Sequence, residues 1–180
     1  MQLRMSARVL AAAGALALAT ALSSCGFDYA TDREYTPGAG PNERDASVDV
    51  LGAVVVSAEP GSGTFVASFA NNDQDDSASV DSLSGTGEDS DLDVDDFRSI
   101  DIDPGQLVNL AAEGGIVVSG DQVASGDFVS LEIGFGDGET VEMQIPVVPP
   151  CYEYEGLDES EGAPATSDEC TVEPPETGEH

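Results

Sequence analysis

The sequence predicts an all-β domain built as a β-sandwich or Greek-key barrel. Apolar residues recur with period two from Val48 onward, and the runs they form are short and divided by Gly-, Asp- and Pro-rich turns. Nothing from Val48 onward carries a long apolar stripe at helical spacing. About seven or eight such strands pack as two layers.

The elements follow in order. Val48, Val50 and then Ala53-Val54-Val55-Val56 predict a first strand or strand pair, ended by the turn residues Glu59-Pro60-Gly61-Ser62-Gly63. Phe65, Ala67 and Phe69 alternate with Val66, Ser68 and Ala70 until Asn71-Asn72-Asp73 stops the strand. Short strands are expected around Ala78–Ser84, Phe97–Ile102, Leu107–Leu110 and Ile116–Ser119. A hairpin closes the series: Val129, Leu131, Ile133 and Phe135 share one face, Gly136-Asp137-Gly138 turns the chain, and Val141, Met143, Ile145 and Val147 share a face on the return. Pro146 has no ladder donor, so part of the last strand is expected at an edge.

The N-terminus reads as an export signal. Arg4 and Arg8 precede an uncharged run, Val9 to Leu22, that is too short to span about 30 Å of hydrocarbon, for which roughly 20 residues are needed. The run ends in Leu22-Ser23-Ser24-Cys25, which is similar to the end of bacterial lipoprotein signal peptides; the resemblance implies cleavage before Cys25 and diacylglycerol, with palmitate, on its thiol. An ordinary secretion signal is the competing reading, since Ser23 and Ser24 also suit a soluble-secretion peptidase. The expected organisation is a signal peptide over 1–24, a lipidated tether over 25–45, a β-domain over 46–150 and an acidic tail over 151–180. The expected address is the extracytoplasmic face of the cell membrane, held by a lipid anchor.

Charge narrows the partners. The chain has no lysine; three arginines remain beyond the leader against 36 acids, a formal charge of -33 that repels nucleic-acid phosphates and anionic headgroups. Acids at Asp49, Glu132 and Glu142 fall on outward strand positions, so the whole surface is expected to be negative. Adaptation to high salt and binding of divalent cations both fit this composition. Beyond Cys25 the cysteines are Cys151 and Cys170, an even pair in an exported chain, read as a disulfide worth roughly 3 kcal/mol by loop entropy. Two free thiols on a metal would need a further His or Cys nearby. From Glu153 to His180 there are ten acids and little to bury, so the tail is expected to be unstructured apart from that staple.

The order of the pieces GTFVASFANNDQDD, IDPGQLVNL, GGIVVSG, a Gly-Asp turn, FVSLEIGF and VEMQIPV resembles the periplasmic copper chaperone family PCuAC over about Val48 to Val148. Tyr35 to Val56 resembles its actinobacterial LpqE-like envelope lipoproteins. The resemblance implies a cupredoxin-like or immunoglobulin-like Greek-key β-sandwich or barrel outside the cell. It also implies two His and two Met as copper ligands, and these do not carry over. Gly115 and Val117 stand at the approximate places of one His-x-Met pair, and Asp89 to Asp95 offers only acids, Ser, Leu and Val for the other. Carboxylates replace soft Cu(I) ligands poorly. Met143 falls in the core row and His180 is the terminal residue.

Asp91, Asp93 and Asp95 have the one-three-five spacing of a calcium loop, but Asp96 stands where its Gly belongs and Ile102 where its Glu belongs. Leu92 and Val94 alternate with them as on a half-buried strand, so a solvated acidic edge is the competing reading. No Gly-x-Ser-x-Gly elbow and no base beside a thiol is present, so no enzyme activity and no cofactor are expected. Two functions remain: a non-catalytic envelope lipoprotein with a structural or protein-interaction role, or a metal-handling carrier, either a divergent copper handler or a weak calcium binder.

Overall fold

The computed structural model describes residues 40–166 and Cys170; the leader, Cys25, the start of the tether and His180 lie outside the described residues. Among the described residues nine strands occur, β1 (Val48–Val56), β2 (Ser62–Asn71), β3 (Ala78–Gly85), β4 (Asp93–Val94), β5 (Ile100–Ile102), β6 (Leu107–Asn109), β7 (Ile116–Ser119), β8 (Phe128–Phe135) and β9 (Thr140–Val148). One layer runs β4-β7-β2-β1, with β6 also on β2, and the other runs β9-β8-β3-β5. They join where the ends of β1 and β9 pair in parallel, Val55 with Val147 and Val56 with Val148, so a single mixed sheet curls over its own core. The all-β expectation holds. The parallel joint was not expected from the sequence.

Period two places the core. Phe65, Ala67 and Phe69 of β2, Val129, Leu131, Ile133 and Phe135 of β8, and Val141, Met143, Ile145 and Val147 of β9 are all buried in one cluster between the layers. The apparent break in β1 is a bulge. Pairing shifts between Leu51 and Val54, one residue is added, and Gly52 takes a φ of 61° that favours glycine. Val48 and Val50 before the bulge, and Ala53 and Val55 after it, therefore face the same core.

Both ends of the sheet are short and acidic. β4 is two residues long and β5 three, with Asp91, Asp93 and Asp95 on or beside the first and Asp101 and Asp103 on or beside the second. Charged, short edges resist addition of a foreign strand. Pro146 fits its place too: Val147 uses its N–H and C=O on Asp127 and Gly126, so the Pro146 nitrogen faces the side where β9 has not yet met β1.

Several expectations need correction. Phe97–Ser99 lie outside the strand that begins at Ile100, and Leu110 opens a 3-10 turn, Leu110–Ala112, capped by Asn109 Oδ1 on the Ala111 N–H at 3.0 Å. Asp49 does face away from the core row of Val48 and Val50, but it is buried instead of solvated: its Oδ2 meets Arg44 Nη1 at 3.0 Å, the one ion pair among the described residues, and its Oδ1 accepts from Asn72 at 2.9 Å. Residues 151–166 are not loose. They lie against the outer face of β1 and β2, where Tyr154 and Leu157 pack on buried Val54, Val56 and Val66. The fold also begins before residue 46, because Glu43 pairs with Val50 and the Ala53 N–H donates to Pro41.

Candidate functional site

Polar chemistry collects at one end of the sandwich. A groove of about 650 Å³ lies between the β2–β3 connection and the β8–β9 turn, lined by Asn71, Asn72, Asp73, Asp76 and Asp137 among others. Asn71, Asp73 and Asp137 already have partners within the chain. Asn71 Nδ2 donates to the Asp76 carbonyl at 2.8 Å and to the Ile102 carbonyl at 3.3 Å, which ties β2 to β5. Asp73 Oδ1 accepts the N–H groups of Asp75 and Asp76 at 2.8 and 3.0 Å, and Asp137 accepts that of Glu139 at 2.9 Å. These backbone donors, Asp75 first for Asp73 and Glu139 first for Asp137, hold both carboxyls below their ordinary pKa. Asp81 is lowered likewise by the Ser99 hydroxyl and then that of Ser79. The sequence run NNDQDD is thus a self-capping turn.

The calcium candidates do not converge. Asp91 lies in a turn, Asp93 on β4 opposite Ser119, and Asp95 just beyond; all three are exposed, while the intervening Leu92 is buried in the core. An extended chain spreads alternate carboxylates along the edge instead of folding them round an ion. Among the described residues, no three His, Cys, Asp or Glu side chains are placed to hold a metal.

A second groove, about 570 Å³, opens between β5 and the β6–β7 connection, with Phe97, Ile100, Val108 and Ile116 on its walls and Gly115 at its border. Gly115 has a φ of 70°, and a Cβ built there would run into Thr64 Cγ2 and come within 3.0 Å of the Phe65 carbonyl oxygen. The position to which the copper-family resemblance assigns a histidine therefore has no room for a side chain. Val117, the other position, is half-buried on β7 beside Thr64, and Met143 is buried in the core row as expected.

The C-terminal segment holds the group that sequence reasoning missed. Cys151 and Cys170 form a disulfide, with Cα atoms 5.3 Å apart. Asp158, read as one more tail acid, is buried: Oδ2 accepts the Ala58 N–H at 2.7 Å, and Oδ1 accepts the Ser160 N–H, the Ser160 hydroxyl and the Thr64 hydroxyl at 3.0, 2.6 and 3.3 Å. Thr64 Oγ1 in turn accepts the Glu159 N–H at 2.8 Å. Asp89 plays a similar part, its Oδ2 taking the Ser130 N–H at 2.8 Å. Only Asp158-x-Ser160, a local carboxylate and hydroxyl motif, could have signalled this from sequence.

No protein family and no curated protein matches the chain by sequence. Among solved structures it is similar to a copper-bound PCuAC domain from PmoF2, with TM-score 0.49 and 11% identity over 61% of this chain and 99% of that one. It is also similar to an apo PCuAC domain from PmoF1, with TM-score 0.48 and 14% identity over 61% of this chain and 100% of that one. The copper belongs to that first domain, and nothing about this chain's ligands follows from it.

Proposed function

We propose that the chain is a non-catalytic, LpqE-like envelope lipoprotein, anchored through Cys25 on the extracytoplasmic face of the cell membrane and acting by protein contact. The observation that carries this reading is where the acids sit. Most occupy edges, turns and groove rims, and Asp73 and Asp137 in the polar groove are held by the chain's own N–H donors, so the domain offers a negative surface with fixed carboxylates. A surface of this kind favours a partner with a basic patch, chiefly by steering its approach and by excluding acidic competitors.

Two measurements test the proposal. Cys25→Ala is expected to move the protein from the membrane fraction to the soluble one and to abolish palmitate labelling; a variant that stayed in the membrane would end the anchor assignment. The metal-carrier alternative is tested by titrating the mature protein with Cu(I) and with Ca(II). The expected result is no stoichiometric binding tighter than about micromolar, the range of dedicated calcium sensors. Such binding to either ion would make the carrier reading the better one.

A further inference from the structure

Residues 151–166 cover a patch that is separate from the main core. Val54, Val56 and Val66 form their own cluster on the outer face of β1 and β2, closed by Tyr154, Leu157, Ala111 and Val148, and share no buried residue with the cluster between the layers. Lifting the segment would bare those valines while leaving the inter-layer core closed. Two clamps oppose this, one at each end of the contact: Asp158, bound to Ala58 and Thr64, and the Cys151–Cys170 disulfide. Beside the second clamp, Tyr152 has a φ of 55°, the only non-glycine residue with positive φ among the described residues, and its hydroxyl donates to the Cys170 carbonyl at 3.0 Å. An aromatic residue holds that conformation only where its surroundings impose it. Here the closed ring supplies the Cys170 carbonyl that Tyr152 reaches. Breaking the disulfide would release Cys170 from Cys151 and remove the constraint beside Tyr152.

We propose that residues 151–166 form a redox-gated strap, which reduction of Cys151–Cys170 loosens so as to expose Val54, Val56 and Val66. The reductant is a dithiol. One of its thiolates attacks a cystine Sγ, the Sγ–Sγ bond breaks and the released cysteine takes up a proton. The reductant's second thiol then loses its proton, attacks the mixed disulfide and displaces the remaining cysteine, which takes up a proton; the reductant leaves as a cyclic disulfide, two electrons having passed to Cys151 and Cys170. An apolar strip on an otherwise strongly acidic surface is what the reduced form would offer and the oxidised form withhold. The inference does not depend on the anchor or on the protein-contact reading.

Hydrogen exchange of the full chain, with and without dithiothreitol, tests it, with alkylation confirming that both thiols are free. On reduction the amides of Ala58, Gly156, Leu157, Glu159 and Ser160 are expected to exchange at least about tenfold faster, while those of Leu131, Ile133 and Met143 in the β8–β9 ladder stay unchanged. Reoxidation should restore protection. A Cys151→Ser, Cys170→Ser double variant should show the same local pattern with no reductant present. Strap amides that keep their protection in the fully reduced chain would overturn the proposal, leaving the disulfide a passive staple. Acceleration spread evenly over strap and ladder would overturn it as well, since the strap would then be part of one cooperative core.

Discussion

Gly115→His is expected to destabilise the domain by several kcal/mol and to bind no Cu(I). Three costs combine at this position. A φ of 70° suits glycine and costs a β-carbon about 1–2 kcal/mol. The new Cβ overlaps Thr64 Cγ2, presses on the Phe65 carbonyl oxygen and lies 3.3 Å from Val66 Cγ1, and such overpacking costs about 1–3 kcal/mol. Thr64 has little freedom to give way, because its hydroxyl donates to Asp158 and accepts from Glu159, so displacing it also disturbs the packing of 151–166. Gly114→Ala is the control. Its φ of 96° brings a similar backbone cost, but nothing lies within 4 Å of the added carbon. Urea unfolding should therefore rank wild type above Gly114→Ala and Gly114→Ala above Gly115→His. A His variant as stable as wild type, or one that takes up Cu(I) stoichiometrically, would refute the steric account of why this chain lacks that ligand.

What could be read in the sequence was whatever depends on near neighbours. Alternation placed the inward residues of β2, β8 and β9 correctly, because a two-residue period fixes a face without reference to the rest of the chain. β1 read as ambiguous, since one inserted residue reverses the phase and only the partner strand shows that Ala53 rejoins the row of Val50. The parallel contact of β1 with β9 unites segments about 90 residues apart, and no local pattern encodes it. Buried acids were the least legible feature. Asp158 is drawn in by the amide of Ala58, 100 residues away in sequence, and Asp89 by that of Ser130, 41 residues away. In a chain where acids fill every turn, composition does not distinguish an acid that has found buried donors from one that stays in water. Gly115 shows the converse: the sequence revealed the missing ligand, and the structure supplied the reason, a neighbour on β2 occupying the space.

Salt is expected to stabilise this protein strongly, and the acidic edge is where the effect should be traceable. With a formal net charge of -31 and one ion pair among the described residues, the carboxylates have few cations to offset them. Two like charges about 6 Å apart repel by roughly 0.7 kcal/mol in water, and screening shrinks their reach from about 10 Å at 0.1 M salt to about 3 Å at 1 M. Since folding brings many such pairs together, raising KCl across that range should add several kcal/mol to the unfolding free energy, equivalent to roughly 10 °C or more in Tm. A flat response would show that self-repulsion does not limit the fold. Replacing Asp91, Asp93 and Asp95 together by Asn should raise stability in low salt and flatten the salt response, because these exposed groups line one two-residue edge strand. Calcium then separates the two meanings of the run. On a solvated edge, CaCl2 should act no differently from KCl at equal ionic strength, and the triple variant should lose only its general salt sensitivity. A specific site would show stabilisation by calcium beyond that of KCl, abolished in the variant. The same variant should associate more readily at high concentration, since neutral side chains leave the N–H and C=O groups of β4 open to pairing with another chain. Greater stability together with poorer solubility would identify the acids of β4 as guards of an open sheet edge.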